Sequence, residues 1–280
     1  MKWLLDRILI LLRPFKPYLL RHVLGAYCEW VVARANGALF VVNLEDRRVH
    51  YDLRMLGKWE DDYLGMLGQR VSRAGDALVL GAHIGSLAIP LARQCREVIA
   101  FEPSPPSFNL LTLNMRLNDV RNMVIHNLAA SGQAGPLGFL SNRFNSGGSK
   151  RVPKFALTVH DDPVPERITV QAVRLDDFLG ERAFDLILMD IEGSEYEALC
   201  GMQRLLGRAR ALAIEFLPEH LRDVSGVTVD QFLAVIAPHF STLFIPSKQL
   251  RVDAAGFSEA LNGMYARGEG DGGIIFEKAG

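Results

Sequence analysis

Short apolar runs alternate along this chain with stretches whose apolar residues recur every three or four positions. Leu78-Val79-Leu80, Val98 to Phe101, Met123 to Leu128, Ile168 to Val173, the run from Phe184 into Asp190, Ala211 to Phe216, Ser241 to Ile245 and Gly273 to Glu277 read as strands. Between them, helices are predicted from Ser86, from Pro105 to near Asn118 with Phe108, Leu111 and Met115 at helical spacing, from Ser194 to a stop at Gly207, and from Thr228 to Ala237. Near-continuous apolar strands alternating with helices predict an α/β fold: a doubly wound, mostly parallel sheet with helices on both faces. A closing pair of strands near the C-terminus fits an antiparallel edge.

Local punctuation supports these boundaries. Ser194 with Glu197, and Thr228 with Gln231, have the spacing of capping boxes. Ser104 is placed to cap a helix whose first turn holds Pro105 and Pro106.

The first 36 residues differ from the rest: Leu4, Leu5, Ile8, Leu9, Leu11 and Leu12 are interspersed with Lys2, Arg7, Arg13, Lys16 and Arg21. No apolar stretch there reaches the ~18 residues that span a bilayer. The segment reads as an accessory amphipathic helix, packed on the protein or in an oligomer contact, or lying on a membrane surface. From Ala38 to Val42 and Val49 to Tyr51 the pattern turns β-like, with Glu45-Asp46-Arg47-Arg48 as the hairpin turn. Lys58 to Tyr63 opens a helix; its acids suit a helix N-terminus, or with Trp59 and Tyr63 could touch a ligand. The chain is thus divided into an accessory region, 1–70, and a main domain, 71–280.

Composition narrows the class without naming it. Hydrophobic residues make up 49% and charged residues 22% of 280 residues, so a large core can form. A net charge of -1 gives no global case for nucleic acid. Cys28, Cys95 and Cys200 are scattered, with no zinc or disulfide spacing, which suits a reducing, cytoplasmic setting. No metal-ligand set stands at diagnostic spacing and none is expected, although Asp190 with Glu192 leaves a metal formally possible.

Candidate chemistry clusters at strand ends. After Leu80 comes Gly81-Ala82-His83-Ile84-Gly85, a turn whose glycines let backbone bend and approach a ligand. Glu102, 17 residues after Gly85, ends the next strand, where a carboxylate can accept hydrogen bonds from ribose hydroxyls. The spacing is not G-x-G-x-x-G, so a dinucleotide fingerprint is not met. Asp190 and Glu192 follow a third strand, the position at which open α/β sheets place ligands. Ser131 to Lys150 reads as a polar, glycine-rich loop that either closes over a substrate or is mobile.

Taken together, GAHIG, FEPSPPSFNLLTLNMRLN, HNLAAS, NSGGS, LDDFL and DLILMDIEGSEYEALCGM resemble, in order, the motifs of the FkbM-type methyltransferases. The resemblance covers roughly Gly75 to Phe216. It implies a seven-stranded Rossmann-like sheet and S-adenosylmethionine as cofactor, with a hydroxyl of a sugar, lipid or secondary metabolite as acceptor. Gly81, Ala82, His83 and Gly85 would surround the methionine end of the cofactor, Glu102 the ribose, Ser104 with Asn127 to Ala129 the adenine, and Asp190 the sulfonium or acceptor. Two departures stand out: Val79 occupies the position of a usual acid, and His83 that of an asparagine.

An alcohol acceptor needs its proton removed, and Asp190, Glu192 and His83 are the candidate catalytic residues. Two other classes fit these residues. A nicotinamide-dependent oxidoreductase would share the fold and the ribose acid. A non-catalytic module, using the cofactor fold for partner or membrane contact, is suggested by Val79 and the basic N-terminus.

Overall fold

The computed structural model describes residues 28–155 and 165–278. Most of the N-terminal helix expected across the first 36 residues therefore lies outside the described residues, but its end is corrected. Trp30–Ala35 is a strand, β1, paired antiparallel with β2 (Ala38–Asn43). Asn36 and Gly37 link them at φ 49° and 71°, the doubly left-handed geometry of a two-residue hairpin turn. The hairpin thus turns at Asn36-Gly37 and not at Glu45 to Arg48. Val49 to Tyr51 opens a helix, α1 (Val49–Leu56), because Asp46 Oδ1 accepts the backbone N–H groups of Arg48 (2.9 Å) and His50 (3.4 Å). Val49 and Leu53, one turn apart, bury its inner face. Helix α2 follows at Asp61–Gly68.

The remaining elements run β3 (Asp76–Leu80), α3 (Ala88–Ala92), β4 (Glu97–Phe101), α4 (Pro105–Leu117), β5 (Met123–His126), β6 (Ala129–Ala130), β7 (Gly135–Ser141), β8 (Lys150–Arg151) and β9 (Glu166–Val173). After these come α5 (Leu175–Phe178), β10 (Leu186–Met189), α6 (Glu195–Cys200), α7 (Gln203–Arg208), β11 (Ala211–Phe216), α8 (Val229–Ala234), β12 (Thr242–Ile245), β13 (Leu250–Asp253), α9 (Phe257–Ala266) and β14 (Asp271–Glu277).

The main sheet has eight strands, ordered β5-β4-β3-β10-β11-β14-β12-β13, where seven were expected. Strands β5, β4, β3, β10 and β11 are parallel, and the β11–β14, β14–β12 and β12–β13 pairs are antiparallel, so the antiparallel edge is present in a sheet of mixed orientation. The extra strand, β13, is exposed at most of its positions, so no apolar run announces it. The interval 131–150 is likewise not all loop. Its β7 joins β6, β9 and β8 in a second sheet around a small core of Ala129, Phe139, Val170 and Ala172.

Alternation along the central strands separates two cores. Leu78, Leu80, Ile187 and Met189 pack with α6 to α9, whereas Ala77, Val79, Leu186 and Leu188 pack with the β1–β2 hairpin and α1 to α4. The hairpin is clipped down by α4. Asn118 bonds both backbone groups of Leu39, through Oδ1 (2.9 Å) and Nδ2 (2.6 Å), and Asn114 does the same to Val41 (2.6 and 3.4 Å). Four residues of helix rise ~6.0 Å and two of strand ~6.6 Å, so the amides act as a neighbouring strand.

Several boundaries shift for identifiable reasons. Helix α3 is short and starts at Ala88, after a turn in which Gly85 bonds back to Ala82. Ser194 and Ser104 precede their helices without a side-chain cap bond. Glu197 is drawn instead to Arg151 and Lys154 (each 2.9 Å) and Ser225 (2.8 Å), so that box does not form. The Thr228 box does form, with Gln231 N–H to Oγ1 at 3.2 Å and Thr228 N–H to Gln231 Oε1 at 2.9 Å.

Candidate functional site

Strand order reverses beside β3: the chain runs outward through β4 and β5, then returns to β10 on the other side. Ligands of open α/β sheets bind at the carboxyl ends flanking such a reversal. A cavity of about 450 Å³ opens there, lined by the ends of β3, β4, β10 and β11 and by residues of the hairpin region and the second sheet.

The glycine turn is shaped by close approach. Gly81 has φ +82°, and a Cβ there would stand 1.8 Å from the carbonyl oxygen of Asp190. Gly85 also needs a left-handed backbone, at φ +91°. Between them His83 adopts φ +51° and donates its backbone N–H to Glu102 Oε2 (2.8 Å), while Ser104 N–H reaches Glu102 Oε1 (2.8 Å). Burial pushes Glu102 up to about 7, against the pull of these two bonds. Each of its oxygens retains a lone pair for a further donor.

Of the sequence-derived residues, Gly81, Ala82, His83, Glu102, Ala129, Asp190 and Glu192 line the cavity. Gly85, Ser104 and Asn127 stand behind it. Asn127 Nδ2 donates to the carbonyls of Glu102 (2.8 Å) and Pro103 (3.1 Å), fixing the β4 turn. Asp190 follows fully buried β10 yet opens onto the cavity; burial raises it to about 6, moderated by the attraction of His220. Glu192 sits at φ +54°, and burial followed by the nearby Glu215 pushes it to about 8.

His83 is tied into a closed network. The backbone N–H of Asn43 donates to His50 Nδ1 (2.8 Å), so bonding assigns the proton of neutral His50 to Nε2. Ser146 gives its hydroxyl proton to Asp46 Oδ2 (2.5 Å) and accepts from His83 Nε2 (2.7 Å) and His50 Nε2 (3.4 Å). Asp46 Oδ2 also accepts the Ser146 backbone N–H (2.8 Å). Burial, and then His50, drive His83 down to about 3, so the ring stays neutral. This knot joins the hairpin region, the glycine turn and the Asn145 to Ser149 segment.

Leu128, within the Asn127 to Ala129 segment, faces the cavity, as do four residues given no individual role from the sequence: Phe101, Ser146, Lys150 and Glu215. Glu60, weighed earlier as helix start or ligand contact, lines the cavity at φ +50°, and burial followed by Asp190 raises it to about 7. Among the described residues, three of the six non-glycine positions with positive φ, namely Glu60, His83 and Glu192, thus meet at one cavity. Such backbone collects at functional sites. Glu215 had a readable signal, as an acid inside the apolar run ALAIEF.

The family model of the methyltransferase FkbM domain matches residues 80–237, from the last residue of β3 to beyond α8. The chain belongs to the FkbM methyltransferase domain family. Methyltransferase sdnD of Sordaria araneosa is 28% identical over 152 residues, covering 44% of this chain and 58% of that protein. Methyltransferase 1 of Beauveria bassiana is 24% identical over 139 residues, covering 44% and 56%. The chain therefore spans between half and two thirds of the length of these curated relatives. Among solved structures, methyltransferase FkbM from Methylobacillus flagellatus is 19% identical, with 73% of this chain and 44% of that chain covered at a TM-score of 0.44. SMU.1697c from Streptococcus mutans, in complex with SAH, is 10% identical, with 78% and 97% covered at 0.46. The matched FkbM segment holds the glycine turn, Glu102, the second sheet, Asp190, Glu192 and His220, whereas Glu60 and the Asp46 side of the knot lie before it.

Proposed function

We propose that this chain is an S-adenosylmethionine-dependent methyltransferase acting on a hydroxyl of a small sugar, lipid or secondary-metabolite acceptor. The carrying observation is that the Gly81–Gly85 turn and buried Glu102 meet in one cavity at the strand-order reversal, in a chain of the FkbM family. The lining suits this cofactor. The free lone pairs of Glu102 would take the ribose hydroxyls, and Leu128 with Ala129 offers the adenine an apolar wall, braced by Asn127 and Ser104. Val79 is core, 2% exposed, so it cannot supply the carboxylate usual at its position. We assign that part to Glu60, whose neighbour Trp59 packs on the same core and whose charge would face the cationic end of the cofactor.

When bound, S-adenosylmethionine supplies a methyl group already attached to its leaving group. The chain's part is alignment and removal of one proton. Asp190, at about 6, is ionised at neutral pH and open to the cavity, and we assign it as the base. Glu192, pushed up by burial and by the nearby Glu215, lines the cavity two residues beyond Asp190 and would orient the acceptor. His83 serves by holding the Ser146 segment, because its Nε2 is engaged and its ring resists protonation. Cytoplasmic location, homo-oligomer formation and peripheral membrane contact through the basic N-terminal segment belong to the same proposal. Among the described residues, no helix is long and apolar enough to cross a membrane.

Thermal unfolding with S-adenosylmethionine, S-adenosylhomocysteine, NAD and NADP in parallel tests the reading. A ligand at ~100 times its dissociation constant adds about 2.7 kcal/mol, a rise of several degrees. A rise with the two sulfur nucleosides alone is expected. A rise only with a nicotinamide nucleotide, or none at all, would overturn it.

A further inference from the structure

Glu192, Glu215 and His220 converge beside the cavity from three elements: the turn after β10, β11 itself, and a π-helical segment, His220–Ser225. Each arrives on irregular backbone. Glu192 has φ +54°. Opposite Glu215 the β11–β14 register slips, with Ile214 paired to Ile274 but Phe216 to Asp271. His220 opens the π-helical segment. Bulges, π-helical turns and left-handed residues re-aim side chains and are over-represented beside functional sites.

The side chains brought together are incompletely satisfied. Glu215 Oε2 and His220 Nδ1 approach to 3.0 Å, but neither buried atom has an aligned hydrogen bond. The His220 side chain is only 9% exposed, and its Nε2 lies 3.5 Å from Glu192 Oε2. One potential ligand atom from each residue falls within 4.8 Å of the other two. An ion ~2.0–2.2 Å from each ligand separates neighbouring ligand atoms by roughly 3.0–3.5 Å. Because the 3.0 and 3.5 Å approaches are to opposite ring nitrogens of His220, one carboxylate must move inward for a single nitrogen to complete the set. Lys150 Nζ, 3.7 Å from Glu192 Oε2, offsets one charge of a group that also includes Asp190 and Glu215.

We propose that Glu192, Glu215 and His220 hold a divalent metal ion beside the cavity. Two carboxylates and one imidazole form an oxygen-and-nitrogen set suited to Mn2+ or Zn2+ more than to Mg2+ or Ca2+, which favour oxygen alone. Three protein ligands leave coordination positions open, and Glu192 and Glu215 both line the cavity, so an acceptor oxygen can complete the shell. The other acid–histidine group, Asp46 with His50 and His83, is not equivalent, because the Ser146 hydroxyl occupies its centre.

The test is Mn2+ titration of the chelator-stripped full chain, followed by electron paramagnetic resonance, with no nucleoside present. One Mn2+ per chain is expected, with nitrogen modulation from an imidazole ligand. Glu215→Gln should weaken binding at least tenfold, and His220→Ala should also remove the nitrogen signal. Ser146→Ala should leave both unchanged. Absence of stoichiometric binding, or binding unaltered by Glu215→Gln in a protein with the parent circular dichroism spectrum, would overturn the proposal. If His220→Ala fails to fold, Glu215→Gln alone decides. Failure here leaves the nucleoside-binding result standing, since that is read separately.

Discussion

The Asp46–His50–His83 cluster and the Glu192–Glu215–His220 cluster are built from the same two kinds of side chain, yet they end in different states. In the first, one serine hydroxyl donates to the carboxylate and accepts from both rings, so its central polar atoms are paired. In the second, Glu215 Oε2 and His220 Nδ1 are buried without an aligned bond. An unpaired buried polar atom costs free energy, whereas a closed network rigidifies what it joins. The first cluster therefore has the character of a fastener for the rim of the cavity, and the second that of a place where something else belongs. Composition does not distinguish them; hydrogen-bond closure does.

The largest expected effect separates chemistry from both clusters. Asp190→Asn should lower methyl transfer by about 10²–10⁴-fold, the range for losing a positioned base. Melting temperature and nucleoside-induced stabilisation should change little. Retention of full turnover would remove Asp190 from the role.

Stability should then divide the clusters. Ser146→Ala leaves His83 Nε2 and His50 Nε2 without their shared acceptor and Asp46 Oδ2 with the backbone N–H alone, and should cost about 1–3 kcal/mol in chemical denaturation. Glu215→Gln keeps the shape and removes one charge from a crowded acidic group, so it should be neutral or stabilising, within about 1 kcal/mol. Equal losses in the two variants would erase the distinction drawn here.

Acid and base should act on the cavity wall in opposite directions. His83 is held near 3 in the folded protein against an ordinary 6.5, so the unfolded chain binds a proton that the folded one refuses. Its contribution is lost as pH falls from 6.5 towards 3. Glu102 is held near 7 against an ordinary 4.5, so the folded chain keeps a proton that the unfolded one releases. Stability from this group therefore falls as pH rises from 4.5 to 7 and is flat above. Melting temperature followed across this range should show a shallower loss below pH 6.5 in His83→Gln and a shallower decline between pH 4.5 and 7 in Glu102→Gln. The smallest effect is Thr228→Ala, which touches neither cluster's hydrogen bonds, removes a formed capping box and should cost about 1 kcal/mol.

Where the reading of the sequence succeeded, the signal was local. Ala211–Phe216 coincides with its expected span, and β3, β4 and β10 fall where continuous apolar runs end in glycine or acid. Those runs mark strands buried on both faces, and the residues just past them must lie at strand ends wherever the strands are placed. Where it failed, a local signal was outbid. Asn36-Gly37 is a strong hairpin turn, but Trp30 and Val32 on β1 are exposed and blur its alternation. Asp46 turned an apparent second strand into α1 by accepting its first N–H groups.

The sequence by itself determined the class of fold, the glycine turn, and the presence of Glu102, Asp190 and Glu192 at strand ends, because periodicity and backbone permissiveness act over a few residues. Only the tertiary structure decided that Ser146 meets Asp46 from 100 positions away, that Glu60 faces the cavity, and that His220 stands between Glu192 and Glu215. Those meetings depend on strand order and on irregular backbone at φ +50° and +54°, at a register slip and in a π-helical turn. Hydrophobic period specifies which face of an element is buried, but not which element lies beside it.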